Sequence, residues 1–213
     1  MFGDSWERYA PLTGVVFVVL VVLVFAIGGS TPDPHDSTVK VAAYYTKHRD
    51  KQMALAFILA IGAAFLPFFA SHLRRALDWA GGTGRLANAA FAGAILATVG
   101  FWILATVHLA LADSAGKTPP LVTQSLNVLD GNDFIPAAAG MGVLVLASGL
   151  SIVRYRALQA WLGWAGVVIG ILVFTPAGFF AFLASGLWVL VASIILFMAG
   201  PFEERREPGP VPA

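Results

Sequence analysis

The sequence contains no cysteine, and charged residues make up only 12% of its 213 positions. The lack of cysteine excludes disulfide bonds, thiolate metal sites, iron–sulfur clusters and cysteine nucleophiles. A soluble domain carries about 25% charged residues, so half that fraction leaves too little polar surface to face water on every side. The formal net charge of +1 gives no strong attraction to nucleic acid, and we expect no nucleic-acid partner.

Apolar residues dominate instead: 58% of the chain is hydrophobic and the mean hydropathy is +0.80. A helix needs about 20 mostly apolar residues to cross a bilayer. Six such runs are present, at residues 11–29, 53–73, 86–112, 134–153, 158–174 and 178–200. We therefore predict an all-α, polytopic transmembrane helix bundle of six spans within residues 1–200. The charged, proline-rich stretch at residues 201–213 is predicted to be a disordered cytoplasmic tail.

Two features of these runs need interpretation. The flank before the first run is not basic, and the run is long, so we expect a retained helix rather than a cleaved signal peptide. The last two runs are separated by Thr-Pro-Ala-Gly at residues 175–178. Pro176 removes a backbone donor and Gly178 permits a tight turn, which favours a helical hairpin. The alternative, one long broken helix, is too long for a single crossing.

The positive charges predict the orientation, because cytoplasmic loops carry an excess of Lys and Arg. Six spans place eight of the 13 Lys and Arg residues on the side of the termini and five on the other. The protein is therefore expected in a bacterial plasma membrane with both termini cytoplasmic. The eight are Arg8, Arg74, Arg75, Arg85, Arg154, Arg156, Arg205 and Arg206, and the five are Lys40, Lys47, Arg49, Lys51 and Lys117.

The two longer loops on the predicted outer side each contain signals of a short surface helix. In the first loop Ser37 can cap a helix that continues to Gln52, with Val41, Tyr45, His48 and Gln52 on one face. In the second loop Thr118 can cap, Pro119 suits the first helical position and Gly131 suits the exit. The apolar face of that second helix comprises Leu121, Val122, Ser125 and Leu129. Both helices are predicted to lie on the outer membrane surface.

Polar side chains are concentrated in these outer loops and in the ends of the spans beside them, which together we call the outer cap. We predict a ligand-binding site there, formed by Tyr44, Tyr45, His48, Asp50, His108 and Asp113. Under the alternative interpretation, the tyrosines anchor the surface helix at the headgroup level while the charged residues contact lipid phosphates and water. A second candidate is an anionic-lipid site on the inner face at Arg74, Arg75 and Trp79. Under the alternative interpretation, Arg74 and Arg75 only set the orientation of the chain in the membrane.

The sequence lacks the residues that most cofactors require at the necessary positions. We therefore predict no metal and no resident cofactor. His72 and His108 lie near opposite faces of the membrane, roughly 35 Å apart at 1.5 Å per residue, so they cannot share a haem iron. All four lysines lie outside the spans, which excludes a retinal Schiff base. The HExxH spacing of zinc hydrolases is absent. An enzymatic role is therefore not favoured.

Small residues recur along the predicted spans, which allows helix backbones to approach closely in lipid. Gly166 and Gly170 form a GxxxG motif. Similar faces comprise Ala89, Gly93, Ala97 and Gly100, then Gly142 and Gly149, then Ala181 and Ser185. We expect these faces to pack within one bundle; the alternative is a seam between copies of the chain.

At TPAGFFAFLASGLWVLVASIILF and at LNVLDGNDF the chain resembles a broad group of six-helix integral membrane proteins common in high-GC Gram-positive bacteria. The resemblance implies a polytopic inner-membrane protein and supplies no activity. The favoured hypothesis is a non-enzymatic binding or accessory protein whose outer cap contacts a lipid, a small ligand or a partner subunit. The alternatives are a small oligomeric transporter or channel, and a membrane redox protein that binds haem or quinone.

Overall fold

The computed structural model describes residues 7–81 and 84–200, and the predicted tail at residues 201–213 lies outside them. Within the described ranges all regular structure is helical. A 3₁₀ turn at Ala10–Leu12 precedes the first α-helix. The α-helices are α1 (Thr13–Gly28), α2 (Thr38–Ala63), α3 (Leu66–Trp79), α4 (Arg85–Ser114), α5 (Pro120–Asp130), α6 (Ile135–Tyr155), α7 (Ala160–Leu172) and α8 (Gly178–Ala199).

Five segments of the described part are long and apolar enough to cross a membrane. This is the helical, multi-pass architecture that the composition predicts. The sixth apolar run forms α7, whose 13 residues are fewer than the roughly 20 that one crossing requires. The five segments are Glu7–Gly28, Thr38–Trp79, Arg85–Ser114, Pro120–Tyr155 and Gly178–Ala199.

The first predicted surface helix is not separate from the span that follows it. Ser37 caps α2 as expected: its hydroxyl accepts a hydrogen bond from the Lys40 backbone N–H at 3.4 Å. The helix then continues to Ala63. It has one kink, at His48, where φ is −111° and ψ is 15°. No Pro or Gly interrupts residues 38–61, so nothing ends the helix at the polar–apolar boundary. The break comes later, before Pro67, which cannot donate to the carbonyl of Ala63.

The second predicted surface helix is a separate element, α5, but its faces are distributed differently from the prediction. Its polar residues Thr123 and Asn127 are buried against the bundle, at 0% and 3% exposure. Its apolar residues Leu121 and Leu129 are exposed. The inward face is polar because it packs against polar groups of α2 and of the loop before it.

The core forms where glycines let helix backbones touch. A Cβ added to Gly100 of α4 would lie 2.5 Å from the Cα of Ala137 on α6, and one added to Gly140 would lie 2.5 Å from the Cα of Ala97. On α7, a Cβ at Gly170 would lie 2.5 Å from the Cβ of Leu146. These separations leave no room for a side chain, so the small-residue faces of α4, α6 and α7 pack within the chain, as expected.

The polar loops collect at one end of the bundle, which we call the cap end; it comprises residues 29–37, the first turns of α2, and α5. Although short, α7 with its following turn covers the height of α6. Gly163 near its start lies against Ile152, close to the end of α6 away from the cap. Phe179, just after the turn, packs on Phe134 at the cap end, with ring centroids 6.1 Å apart.

Helix α8 returns from the cap end to the opposite end. There Phe197 stacks on Tyr9, with ring centroids 6.1 Å apart. The two ends of the described chain therefore lie at the same end of the bundle, away from the cap.

Candidate functional site

The cap end contains a chain of hydrogen bonds through four side chains, which we call the cap network: Tyr44, Gln52, His108 and Asp130. Gln52 Nε2 donates to the Tyr44 hydroxyl at 3.2 Å. Gln52 Oε1 lies 3.0 Å from His108 Nε2, and His108 Nδ1 lies 3.0 and 3.1 Å from the two carboxylate oxygens of Asp130. The side chains of His108 and Asp130 are only 15% and 16% exposed. The network therefore joins α2, α4 and α5 through largely buried polar contacts.

Helical spacing positions these side chains. Tyr44 and Gln52 are eight residues apart on α2, slightly more than two turns, so both face the same side of the helix. His108 lies on the last two turns of α4, and Asp130 is the last residue of α5. The ring of His48, at the kink of α2, packs on Tyr44 with centroids 4.7 Å apart.

The polar atoms of the cap network surround the His108 ring. Its Nε2 faces Gln52 Oε1 and its Nδ1 faces the Asp130 carboxylate, so each ring nitrogen lies beside an oxygen acceptor. The ring is therefore held from α2 on one side and from α5 on the other.

A second set of contacts holds the loop at residues 29–37, which we call the strap, over the cap end. The buried Tyr45 hydroxyl donates to Asn127 Oδ1 at 3.3 Å. Asn127 Nδ2 lies 3.4 and 3.3 Å from the carbonyl oxygens of Pro32 and Asp33, and Gln124 Nε2 donates to the Pro34 carbonyl at 2.7 Å. The polar face of α5 thus fastens the strap.

The strap carries two carboxylates, the exposed Asp33 and the half-buried Asp36, whose negative charge is stabilised by neighbouring groups. The His35 backbone N–H donates to Asp33 at 2.8 Å, and this bond holds the pKa of Asp33 below its ordinary value. The Lys40 ammonium lies 2.8 Å from Asp36 and lowers the pKa of that carboxyl in the same way. Both groups therefore remain ionised in neutral solution.

Beneath the strap lies a cleft of about 550 Å³ with one polar end. Its polar end is formed by Thr31, Gln52, His108 and Asp130. The rest of its wall is apolar and comes from α1, α2, α4 and α8. The apolar wall comprises Val24, Phe25, Leu55, Ala56, Leu59, Leu104, Phe134, Phe179, Phe182 and Leu183.

The cleft continues into an apolar groove of about 590 Å³ between α1 and α8. Phe25, Phe182 and Leu183 line both spaces. The groove reaches Phe17 near the start of α1 and Phe101 in the middle of α4. Together the two spaces form an elongated apolar channel with a hydrogen-bonding tip, open along its side to the surroundings of the bundle.

One buried acid near the tip has no hydrogen-bond partner among the described residues. Asp133 is 7% exposed, and neither of its carboxylate oxygens is hydrogen-bonded. It lies in the turn between α5 and α6, three residues after Asp130. Asp133 is not among the residues that line the cleft, so it does not belong to the polar tip.

The structure brings together four of the six residues predicted to form the site at the cap. Tyr44, Tyr45 and His108 lie within one cluster, and His48 contacts it through Tyr44. Asp113 instead pairs with Arg49 and with Lys117, whose Nζ lies 2.6 Å away. The Asp50 carboxylate is exposed, and among the described residues it has no hydrogen-bond or ion-pair partner.

Three residues of the cluster were missed by the sequence reasoning: Gln52, Asn127 and Asp130. The spacing along α2 places Gln52 on one face with Val41, Tyr45 and His48 but gives it no role, and in the structure Gln52 is only 1% exposed. The signal for the other two was the i, i+3 spacing of polar residues in LNVLDGNDF on a helix whose remaining faces are apolar.

The inner-face candidate is already occupied by ion pairs. Arg75 Nη1 lies 2.7 Å from Glu7, and Arg74 Nε lies 3.6 Å from Asp78. Arg74 also lies over the ring of Phe91. Because both arginines are paired with carboxylates, less positive charge is available to an anionic lipid than two unpaired arginines would offer. Trp79, the third predicted residue, is exposed.

No group of three or more His, Asp or Glu side chains within residues 7–81 and 84–200 is arranged to hold a metal ion. No family model, curated protein or solved structure matches the chain. The geometry of the cap end therefore carries the functional argument.

Proposed function

We propose that the chain crosses a bacterial plasma membrane six times, with the cap end outside and both termini cytoplasmic. Two observations support this topology. Helix α7 begins at the end away from the cap, whereas Phe179, just after its turn, packs on Phe134 at the cap end. Helix α7 and its turn therefore extend from one end of the bundle to the other. The end opposite the cap also holds the arginines that adjoin short loops, Arg74, Arg75, Arg154 and Arg156, which is the pattern of a cytoplasmic face.

Single cysteines test this topology, because the chain has none of its own. Lys47, Ala177 and Gln159 are exposed positions. We expect an impermeant maleimide to label Lys47→Cys and Ala177→Cys in intact cells, and Gln159→Cys only after permeabilisation. A reversed pattern for Lys47→Cys and Gln159→Cys would overturn the orientation. If Ala177→Cys behaved like Gln159→Cys, α7 would not cross.

The role we propose is binding without catalysis: the cleft and groove hold a single-tailed, lipid-like molecule with its polar head at the cap network. The observation that carries this proposal is the cleft's composition, an apolar wall that ends at four hydrogen-bonding side chains. Ligand sites are mostly apolar cavities with a few placed polar groups. A cleft that only accommodated bulk lipid tails would need no buried polar tip, since burying such groups is costly.

The dimensions suit one chain. Phe17 and Gly28 mark the two ends of the space along α1, and 11 residues of helix rise about 16 Å. Helix α1 is loosely held, because among its 16 residues only Thr13, Gly14 and Phe17 are buried. A ligand can therefore enter sideways from the bilayer between α1 and α8.

Photolabelling tests the binding role. The probe is dodecanol with a diazirine at the end of its chain, added to the protein in membrane vesicles. We expect saturable labelling of peptides from α1 and α8 that excess dodecanol suppresses. Labelling that is unsaturable and equally strong on the exposed face of α7 would contradict the proposal.

A matched pair of variants sharpens the result. Leu183 lines both spaces and is half exposed, so Leu183→Trp fills the channel without entering the core. Leu150 on α6 is exposed to a similar degree and lines neither space. We expect Leu183→Trp to lose the saturable labelling and Leu150→Trp to keep it.

A further inference from the structure

We propose that the ligand's head is an uncharged ring bearing a phenolic hydroxyl, as in an alkylphenol or a hydroquinone. This inference rests on the proposed binding role and specifies its ligand class. Three properties of the tip support it: unused hydrogen-bonding capacity, acidic character and an aromatic wall.

The unused hydrogen-bonding capacity at the tip includes a donor on Gln52 and several acceptor lone pairs on Asp130. Both oxygens of Asp130 contact the same nitrogen of His108, which leaves lone pairs of the carboxylate free. The Gln52 amide has two N–H groups, and one of them is used by Tyr44. A hydroxyl can donate to Asp130 and accept from Gln52 at the same time. A quinone carbonyl can only accept, so the Asp130 carboxylate offers it nothing.

The acidic character disfavours an anionic head. The Asp130 carboxylate lines the tip itself. A phosphate or carboxylate placed there would meet like charge in surroundings of low dielectric constant, where repulsion is strong.

The wall next to the tip favours a flat ring. Phe25, Phe134, Phe179 and Phe182 line the cleft, and the rings of Phe134 and Phe179 pack edge to face. Aromatic side chains pack favourably against other rings in stacked or edge-to-face geometry. An aliphatic alcohol would satisfy the hydrogen bonds but not this wall.

Binding of decyl-chain probes to the purified protein in detergent tests the proposal. The probes are decylubiquinol, kept reduced under anaerobic conditions, its oxidised form decylubiquinone, 4-decylphenol, decanol and decyl phosphate. A hydrogen bond to a charged group corresponds to about a tenfold or larger change in affinity. We expect decylubiquinol to bind at least about tenfold more tightly than decylubiquinone, which cannot donate to Asp130. We also expect both phenolic probes to bind more tightly than decanol, which lacks the ring, and than decyl phosphate, which is anionic.

The two phenolic probes distinguish the source of the hydroxyl. If decylubiquinol binds more tightly than 4-decylphenol, the second oxygen of a hydroquinone contributes; equal binding assigns the recognition to a single phenol. Either result supports the proposal. Equal or tighter binding of decylubiquinone, decanol or decyl phosphate would overturn it.

Asp130→Asn should remove the preference, because the amide offers a weaker acceptor. We expect decylubiquinol to bind about tenfold more weakly to Asp130→Asn and decylubiquinone to bind as before. Asp50→Asn, an exposed carboxylate on the same side of the bundle, is the matched control and should change neither.

The comparison of probes on the unmodified protein needs no variant, so it stands even if Asp130→Asn does not fold. If no probe binds and dodecanol shows no saturable labelling, the binding role itself fails. If dodecanol labels saturably but the phenolic probes have no advantage, only the ligand class fails.

Discussion

Replacing Gly100 with alanine tests the packing on which the whole bundle depends. A Cβ there would lie 2.5 Å from the Cα of Ala137 and 2.6 Å from the carbonyl carbon of Pro136. Both obstacles are backbone atoms, which cannot rotate away. Since ordinary contact begins at 3.4 Å, α4 and α6 must separate by roughly 1 Å along their main contact.

Overpacking of this kind costs about 1–3 kcal/mol, and the rigid obstacle places Gly100→Ala at about 2–3 kcal/mol. For a chain of this size that corresponds to a fall in Tm of about 4–12 °C. The assay is thermal unfolding of the purified protein in one mild detergent, followed by intrinsic fluorescence and by loss of monodisperse protein.

Gly186→Ala is the matched control, because a Cβ at Gly186 of α8 would meet nothing within 4 Å. Alanine in a helix at an unobstructed site is neutral or stabilising by about 0.4–1 kcal/mol. We therefore expect the Tm of Gly186→Ala to equal or exceed that of the unmodified protein. If Gly100→Ala melted at the same temperature as Gly186→Ala, the close contact between α4 and α6 would be wrong.

Two further predictions concern the cap end. Tyr45→Phe removes the donor to Asn127 inside a buried cluster, so we expect a loss of about 1 kcal/mol and a Tm lower by about 2–4 °C; an unchanged Tm would place that hydroxyl in water. Asn127→Ala releases the carbonyls of Pro32 and Asp33, and amide hydrogen exchange at His35 should become faster while exchange in the middle of α4 stays the same. Unchanged exchange at His35 would show that Asn127 does not hold the strap.

The helical, membrane-spanning architecture could be predicted because it depends on local properties. Apolar run length, the Ser37 cap and the small-residue faces of Gly93, Ala97 and Gly100 are all visible in the sequence, and the structure confirms the cap and the buried glycine contacts. The limits of α2 could not be placed from hydropathy. A helix ends where its backbone hydrogen bonds end, and Pro67 decides that, not the polar–apolar boundary near Gln52.

The candidate site was only partly predictable, because its key contacts join residues far apart in the chain. His108 and Gln52 are separated by 56 positions, and Tyr45 and Asn127 by 82. The polar residues of α5 looked like a solvent-facing side, since polar faces normally meet water. In α5 this relation is reversed: Thr123 and Asn127 are buried because their hydrogen-bond partners lie on the bundle side, on α4, α2 and the strap.

Native mass spectrometry of the protein released from mild detergent, compared with Leu183→Trp and Leu150→Trp, detects a bound ligand without any assumption about its identity. We expect one discrete added mass on the unmodified chain and on Leu150→Trp, and none on Leu183→Trp. A bare chain in all three, or the same added mass retained by Leu183→Trp, would contradict a ligand site in the channel beneath the strap.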